Sequence, residues 1–157
     1  MRRSAVLCVL AVAALTLSGT AAALLVPQRG MAGVTLGMKR LQVRAVLGTP
    51  SRVIHGTNDF GVYTEFRYAP RALRLVFQGN AGLTAISTSA TRERTARDIG
   101  VGSTEAQVRR GVAGVRCEGT PAMRHCYVGA FLAGRRVTDF WIRSGRVSRV
   151  VVGFVID

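Results

Sequence analysis

The sequence predicts an α+β fold built from two tandem repeats, in each of which a short helix region precedes an antiparallel β-meander. Two observations lead to this prediction. A segment with helical spacing of apolar residues is followed by strand-like segments rich in β-branched and aromatic residues, and the same order recurs in the second half of the chain. The chain has 157 residues, of which 48% are hydrophobic, enough for a buried core. The two meanders could join into one continuous curved sheet.

The first repeat is predicted over residues 33–88. Its helix lies within 38–47, where Val43, Val46 and Leu47 recur at helical spacing, and the Gly-Thr-Pro that follows ends it. Strands are predicted after this helix near 52–55, 61–68, 72–78 and 83–88. The second of these strands alternates two sets of side chains, which indicates a sheet with one buried face.

The second repeat is predicted over residues 98–157. It follows a linker over 89–97 that has no apolar period and should therefore lie at the surface. Its helix falls near 104–112, where Thr104 and Gln107 could form a capping box. Strands are predicted after this helix near 115–118, 125–132, 136–143 and 146–156.

The repeat prediction depends on an alignment of the two halves. Gly37–Arg44 aligns with Gly102–Arg109 at an offset of 65, and the offset becomes 64 beyond the helices. At this second offset, matched strand positions are Tyr63 with Tyr127, Phe77 with Trp141, Leu83 with Val147, Val53 with Cys117 and Val62 with Cys126. The last two matches predict that Val53 and Val62 face each other on paired strands.

The N-terminal residues 1–23 have the pattern of a secretory signal peptide. Two arginines precede an apolar run, and small residues follow at Ala21-Ala22-Ala23. Cleavage is expected after Ala22 or Ala23. The alternative is that the apolar stretch Ala5–Val26 is retained as a membrane anchor. In either case we expect the folded part to be secreted or to lie in the extracytoplasmic cell envelope, with membrane contact only if the segment is uncleaved.

Two cysteines, Cys117 and Cys126, remain beyond the predicted signal peptide. An even number of cysteines in an oxidising compartment predicts a disulfide, here across a hairpin. A zinc site would need four ligands, and only His55 and His125 could join the two thiolates. We therefore expect a structural disulfide, no metal and no cofactor.

The residue types that catalysis needs are few and form no familiar motif. The chain has two histidines and eight carboxylates, and it contains no nucleophile elbow, zinc-binding histidine helix or phosphate loop. Glu65 and Asp139 are candidates for a carboxylate pair, but neighbouring arginines predict surface ion pairs for both. We predict that the protein is not an enzyme, unless folding gathers His55, Asp59 and Asp139 in one pocket.

The charge is strongly positive, with 22 basic against 8 acidic residues and a formal net charge of +14. The arginines are dispersed over both halves, which favours anionic partners through long-range attraction. Outside the cell, such partners are anionic wall polymers, phospholipid head groups or acidic proteins. The sequence has neither a recognition helix nor an aromatic-basic platform, so we expect no nucleic acid partner.

The candidate partner-binding residues are aromatic and charged side chains on the predicted strands: Tyr63, Glu65, Arg67, Arg74, Tyr127 and Trp141. Tyrosine and arginine on an exposed sheet surface are typical of protein interfaces. For Trp141 the strand phase leaves two alternatives. If it is equivalent to Phe77 it belongs to the core, whereas a core containing Phe140 and Ile142 would leave it exposed beside Asp139.

One segment, Gly37–Pro50, resembles the helix signature of the small outer-membrane β-barrel assembly lipoproteins of the SmpA/OmlA type. The aromatic residues Tyr63, Phe66 and Tyr68, followed by Leu73–Ile86, resemble the strand pattern of that family. Tandem copies of this unit resemble the β-lactamase inhibitory proteins, secreted proteins whose two repeats form a continuous curved sheet. The resemblance implies this architecture and a binding role, without assigning any individual functional residue.

These observations together predict a secreted or envelope-associated binding module without enzymatic activity. Its partner is expected to be an extracytoplasmic protein bound on the joined sheet surface. The alternative is a structural or adhesive module that binds anionic cell-envelope polymers through its dispersed arginines.

Overall fold

The computed structural model describes residues 24–156, so the predicted signal peptide lies outside the described part of the chain. The helices are α1 (Arg40–Leu47) and α2 (Glu105–Gly111). The strands are β1 (Gly30–Met31), β2 (Val34–Thr35), β3 (Arg52–Asn58), β4 (Gly61–Tyr68), β5 (Leu73–Gln78), β6 (Leu83–Thr88), β7 (Arg116–Glu118), β8 (His125–Gly129), β9 (Arg136–Arg143) and β10 (Arg146–Phe154). Short 3-10 helices precede β5 and β8, at Ala69–Arg71 and Pro121–Met123.

Eight strands form one antiparallel sheet in the order β3-β4-β5-β6-β10-β9-β8-β7, while β1 and β2 form a separate hairpin. The predicted α+β class is confirmed, and the sheet is continuous. A helix followed by four strands occurs twice in the chain. The two sets of strands meet at the centre, where β6 and β10 pair through Ile86 opposite Val152 and Thr88 opposite Val150.

Both helices pack on the same face of the sheet. Val43 and Leu47 of α1 and Val108 of α2 are buried in the hydrophobic core, and the Arg44 guanidinium lies 5.0 Å from the ring centroid of a core phenylalanine. The sheet contributes large apolar side chains to this core: Phe66, Leu75, Phe77, Ile86, Phe140 and Val150. In the described part of the chain the opposite face carries no α-helix. We call it the open face.

The start of each helix is tied to the last strand of its half by the same backbone hydrogen bond. Gly37 N–H donates to the Leu83 carbonyl oxygen and Gly102 N–H donates to that of Val147, both at 2.8 Å. The two glycines have φ of 88° and 91°, a region that glycine adopts without a Cβ clash. Leu83 and Val147 therefore occupy matching places, in agreement with the offset of 64.

The offset is wrong for the third strand of each half. The sheet register places Phe77 opposite Leu83, and Ile142 opposite Val147. The counterpart of Phe77 is therefore Ile142, and Trp141 points to the other face. A slip of one residue exchanges the two faces of a strand, because side chains alternate along it.

The pairing predicted for the two valines of the first half is also wrong. Val53 lies opposite Phe66, and Val62 lies opposite Thr57. The two cysteines do face each other on β7 and β8. The counterpart of the cysteine pair is thus Val53 with Phe66, and cysteines introduced at 53 and 62 could not form a bridge without moving a strand.

The N-terminal segment before α1 is part of the core, which its sequence pattern did not reveal. Leu25 N–H donates to the Arg94 carbonyl oxygen at 2.8 Å, and Gln28 N–H donates to Thr138 Oγ at 2.6 Å. Leu25 itself is 1% exposed. The segment lacks a helical or alternating period because it is held by the linker and by β9 rather than by one regular element.

The linker over 89–97 is predicted to lie at the surface, but one of its side chains does not. Glu93 is only 1% exposed. One carboxylate oxygen has no hydrogen-bond partner among the described residues, and the Arg92 Nε lies 3.9 Å from the other. Burial raises the pKa of Glu93, against the lowering influence of Arg92, Arg71 and the Ala32 backbone N–H. The charged form is thus disfavoured in the folded state.

We expect Glu93→Gln to raise the free energy of unfolding at pH 7 by about 1 kcal/mol, because it removes a buried and incompletely paired charge. Because the pKa of Glu93 is raised in the folded state, its charge destabilises the fold only once pH rises through the pKa of the unfolded chain. In acid the carboxyl group is protonated in both the folded and the unfolded state, and the destabilisation is absent. Urea unfolding at pH 3.5 and pH 7 measures the difference. The exposed Asp98, changed to Asn, is the control, and equal gains at both pH values would contradict the prediction.

None of the helices within residues 24–156 is both long and apolar enough to span a membrane.

Candidate functional site on the open face

All six predicted partner-binding residues lie on the open face. The register of β4 and β5 places Tyr63, Glu65, Arg67 and Arg74 opposite the core-facing set, and the register of β8 and β9 does the same for Tyr127 and Trp141. Their role in binding stays a prediction. They form two clusters on opposite sides of the sheet centre.

The first cluster is the arginine row, formed by Arg52, Arg67 and Arg74 at directly opposed positions on β3, β4 and β5. Glu65 lies beside it on β4. Arg67 Nε donates to Glu65 Oε1 at 2.6 Å, and Arg74 Nε donates to Glu65 Oε2 at 2.5 Å. One carboxylate therefore holds two guanidinium groups, each by its Nε only.

The burial of Glu65 corrects the expectation that it is exposed. Its side chain is 1% exposed, whereas those of Arg67 and Arg74 are 47% and 55% exposed. Burial raises the pKa of Glu65, but the hydrogen bonds and charges of the two arginines outweigh it, and the net pKa is lowered. The carboxylate is thus ionised, and it anchors the arginines from beneath.

The second cluster is the aromatic cluster, formed by His125, Tyr127, Phe131 and Trp141. The His125 ring stacks on Trp141 and on Tyr127, with centroids 5.4 and 5.5 Å apart, and Phe131 lies 4.7 Å from Tyr127. The Arg149 guanidinium lies 5.2 Å from the centroid of Trp141. This arrangement is typical of an aromatic surface with cation–π contacts at its edge.

The second of the two alternatives for Trp141 is the observed one. Phe140 is 0% exposed and Ile142 is 7% exposed, while Trp141 is half-buried on the open face beside Asp139. Tyr127 was expected to be exposed but is buried. The reason is that neighbouring rings of the cluster cover it, chiefly Phe131 from the loop after β8.

Asp139 is buried on the open face and pairs with a histidine. The predicted surface ion pair with an arginine is therefore wrong for this residue. His125 Nδ1 and Asp139 Oδ1 are 2.8 Å apart. Burial raises the pKa of Asp139, and the hydrogen bond and charge of His125 act against it. The contact fixes the orientation of the His125 ring within the aromatic cluster.

The centre of the open face lies between the two clusters and is built from small side chains. Ser87 of β6 lies opposite Val151 of β10, and Ala85 lies opposite Gly153. The pairing places Arg74, Ser87, Val151, Asp139 and Tyr127 in one row across five strands. The surface between the clusters is therefore free of bulky or charged groups along this row until Asp139.

The predicted disulfide is present between Cys117 and Cys126, on the helix-facing side of β7 and β8. Glu105 lies close enough to both sulfurs for the three to resemble a metal-ligand group. Disulfide sulfurs are not thiolates, however, and thiolates are what a zinc ion binds. The trio in its oxidised form therefore does not fit a zinc site.

Glu105 begins α2, and it links this helix to the residue before β8. Arg124 donates to it through both Nη2 and Nε, at 2.6 and 2.9 Å, and Arg109 Nη2 donates at 2.8 Å. These bonds, led by those of Arg124, lower the pKa of Glu105 to about 2. The predicted capping box is also present, with Thr104 N–H donating to Gln107 Oε1 at 2.8 Å.

We expect Glu105→Gln to lower the free energy of unfolding at pH 7 by about 1–2 kcal/mol, a figure reduced for the solvent exposure of the arginines. Because folding lowers the pKa of Glu105 to about 2, the stabilisation is complete at pH values above the pKa that Glu105 has in the unfolded chain. It is lost as pH falls toward 2. Denaturant midpoints between pH 2 and 7 measure this loss. Glu118→Gln is the control, and a difference that persisted undiminished at pH 2 would contradict the prediction.

The candidate catalytic groups are not gathered in one place. His55 lies on edge strand β3, and four strands separate it from Asp139 on β9, a gap of about 24 Å at normal strand spacing. Glu65 and Asp139 are four strand spacings apart, about 19 Å, whereas glycosidase carboxylates lie within about 10 Å of each other.

Sequence reasoning did not identify Arg52, His125, Phe131 and Arg149 as members of the open face. For Arg52, the signal is the predicted strand near 52–55, to which it belongs. Arg149 could not be placed by alternation from Val147, because a register shift between these two residues interrupts the alternation of β10. Phe131 lies in a loop, 48% exposed, and no periodicity could locate it.

Comparison with known proteins finds a structural likeness but no family. No protein-family model matches the chain, and no curated protein matches it. The chain is similar to an extracellular protein containing an SCP domain from Bacillus anthracis str. Ames, with 8% sequence identity, a TM-score of 0.51 and coverage of 76% of this chain and 44% of that chain. This likeness shows the fold alone. The chain spans less than half the length of that protein.

A second similar structure is a DUF4309 family protein (YjgB) from Bacillus subtilis subsp. subtilis str. 168, with 18% identity, a TM-score of 0.48 and coverage of 79% of this chain and 84% of that chain. Neither structure is named as an assembly lipoprotein or a β-lactamase inhibitory protein. The resemblance to those two families therefore stays a prediction.

Proposed function

We propose that this protein is an extracytoplasmic binding module without enzymatic activity, and that it binds a protein partner through the open face. The observation that carries the proposal is the presence of the aromatic cluster and the arginine row on the sheet face that no α-helix within residues 24–156 covers. Tryptophan, tyrosine and arginine are the residues that contribute most to protein–protein affinity.

Exposed apolar side chains around the aromatic cluster support a protein partner. Phe131 is 48% exposed, Leu132 63% and Met123 62%. Met123 and Phe131 line a cavity of about 530 Å³ together with Trp141 and His125. An apolar surface of this kind, bordered by charged groups, is typical of an interaction site. A bulky side chain of a partner could anchor there.

The disulfide supports an extracytoplasmic location, because such bonds persist in oxidising compartments. The SCP-domain protein of similar fold is described as extracellular, which is compatible with this location. The signal-peptide pattern of residues 1–23 points the same way.

We also propose that the two halves are tandem copies of one unit, as in the resemblance to the SmpA/OmlA type. The matched helix-entry hydrogen bonds at Gly37 and Gly102 support this proposal. The pairing at the sheet centre supports it too. Ile86 lies opposite Val152 and Thr88 lies opposite Val150, and an offset of 64 relates Ile86 to Val150 and Thr88 to Val152, so each pair is the counterpart of the other.

The second candidate function is adhesion to an anionic cell-envelope polymer. The formal charge of +14 favours it, because most of the arginines are exposed and attract anions over long distances. Ionic strength separates the two functions. Contacts of exposed charges weaken as salt is raised, whereas a desolvated aromatic interface weakens little.

A pull-down from the envelope and secretome of the source organism tests the proposed function. The baits are the wild-type protein, Trp141→Ala and the control Arg110→Gln, whose exposed side chain lies on α2. We expect a defined protein to stay on the wild-type and control baits at high salt. Trp141→Ala should bind it about 30-fold more weakly, as loss of an aromatic anchor implies.

Two results would contradict the proposal. Retention that does not depend on Trp141 would remove the aromatic cluster from the interface. Retention of polymer alone, lost from every bait at high salt, would support the adhesive function instead.

A further inference from the structure

We propose that the arginine row is a carboxylate-binding subsite, and that it receives an acidic side chain of the protein partner. The proposal rests on the proposed function, because it assigns the charged part of the same interface. The subsite consists of Arg67 and Arg74, which Glu65 orients, and of Arg52 beside them.

The two central guanidinium groups are oriented with their donors free. Arg67 and Arg74 use Nε to bind the buried carboxylate of Glu65. Within residues 24–156, no acceptor receives a hydrogen bond from the Nη groups of either arginine. Both side chains are half-exposed, so these Nη donors face solvent at the open face. Two fixed guanidinium forks are suited to a bidentate contact with a carboxylate.

The charge of the row is not balanced within the described part of the protein. Three arginines lie at directly opposed positions, and Glu65 is the one carboxylate within salt-bridge distance of any of them there. Like charges directly opposite on neighbouring strands repel each other. A second carboxylate, supplied by the partner, would relieve this repulsion and satisfy the free Nη donors.

The surroundings of the row favour a protein carboxylate over the phosphate of a polymer. Beyond Arg74, the positions opposite one another on successive strands are Ser87, Val151, Asp139, Tyr127 and Arg116. Two small side chains and an acidic one therefore separate the arginine row from the next arginine in this direction. A continuous basic track, which a polyanion would need, is not formed in this direction.

The spacing of the two clusters defines the partner further. Four strand spacings separate Arg74 from Tyr127, a distance of about 19 Å. An extended segment of about six residues spans this distance. We therefore infer that the partner presents an acidic residue and a bulky apolar residue separated by that distance.

Titration of the isotopically labelled protein, purified as its host produces it, tests the subsite without the partner. The probes are glutarate and inorganic phosphate at pH 7 and constant ionic strength, and the readout is the arginine Nε–Hε NMR signals. We expect glutarate to shift the signals of Arg67 and Arg74 saturably, with a dissociation constant in the millimolar range, and to bind more tightly than phosphate.

The variants separate an oriented fork from general charge. Arg74→Gln is expected to weaken glutarate binding about tenfold, and Arg74→Lys should also weaken it several-fold because lysine keeps the charge but not the paired donors. Arg52 makes no contact with Glu65, so Arg52→Gln tests the site without disturbing the ion pairs of Glu65. We expect this variant to bind glutarate about threefold more weakly. Arg110→Gln is the control and should leave binding unchanged.

Three outcomes would overturn the proposal: small shifts spread evenly over all arginines, full affinity in Arg74→Lys, or tighter binding of phosphate than of glutarate. The last would assign the site to a phosphate-bearing polymer. The titration does not involve the aromatic cluster, so it can fail while Trp141-dependent capture of a protein succeeds. In that case the proposed function is supported, and the assignment of the arginine row as a carboxylate-binding subsite is wrong.

Discussion

Replacing Phe140 by alanine is expected to lower the free energy of unfolding by about 3–5 kcal/mol, the range for removal of a fully buried phenylalanine. Replacing the adjacent Trp141 by alanine should lower it by only about 1–2 kcal/mol, although tryptophan is the larger side chain. The reason is that the two residues point to opposite faces of β9, and only Phe140 fills the core beneath the helices.

Urea unfolding of the two variants, under the same conditions, measures both losses. Their expected order depends on the register of β9, because a shift of one residue would place Trp141 in the core and Phe140 on the open face. Equal losses, or a larger loss for Trp141→Ala, would contradict the observed register. Either result would also mean that Trp141 is not a candidate for contact with a partner.

Removal of the disulfide by Cys117→Ser with Cys126→Ser is expected to lower the free energy of unfolding by about 2.7 kcal/mol. The bond joins residues separated by 9 positions, and closing a loop of this length restricts the unfolded chain by that amount. The effect should be local as well as global, since β7 pairs with β8 through three residue pairs and forms an edge of the sheet.

Thermal unfolding of the double variant and hydrogen exchange of the β7 amides measure this effect. The wild-type protein, treated with an alkylating agent without reductant, provides the control and should take up no label at either cysteine. Labelling of both thiols in the protein as exported would contradict the disulfide and the argument for an oxidising compartment together.

Alternation along the strands made most of the fold predictable. The bounds of β4, β6 and β9 agree with the predicted 61–68, 83–88 and 136–143, because each strand presents one face to the core and one to solvent. The α+β class follows from these strands and from the two helices. The short N-terminal hairpin of β1 and β2 was missed, since two-residue strands carry no period.

The residues of the candidate site could be predicted in part. Tyr63, Arg67 and Arg74 lie on the open face as alternation implied. The burial of Glu65 could not be predicted, because it results from arginines on two strands that pair only in the folded protein. Alternation assigns a face, but the depth of a side chain on that face depends on its cross-strand neighbours.

The error in matching the two halves has a physical origin in their hairpins. The β3–β4 hairpin pairs over seven positions, whereas the β7–β8 hairpin pairs over three and has a longer loop containing a 3-10 helix. A constant offset cannot describe two hairpins of different length. It therefore failed for Val62, although it held for Val147, which packs next to its helix entry.

The pairing of β6 with β10 at the centre of the sheet has a consequence for the kinetics of folding. Every other pairing in the eight-stranded sheet joins strands that are consecutive in the chain, so each meander can form from local contacts with a small loss of chain entropy. Within this sheet, the central pairing is the one that joins strands far apart in the sequence. We expect the transition state for folding to lie at the docking of two preformed meanders along this seam, so that substitutions at Ile86 or Val152 slow folding more than substitutions in the outer strands do.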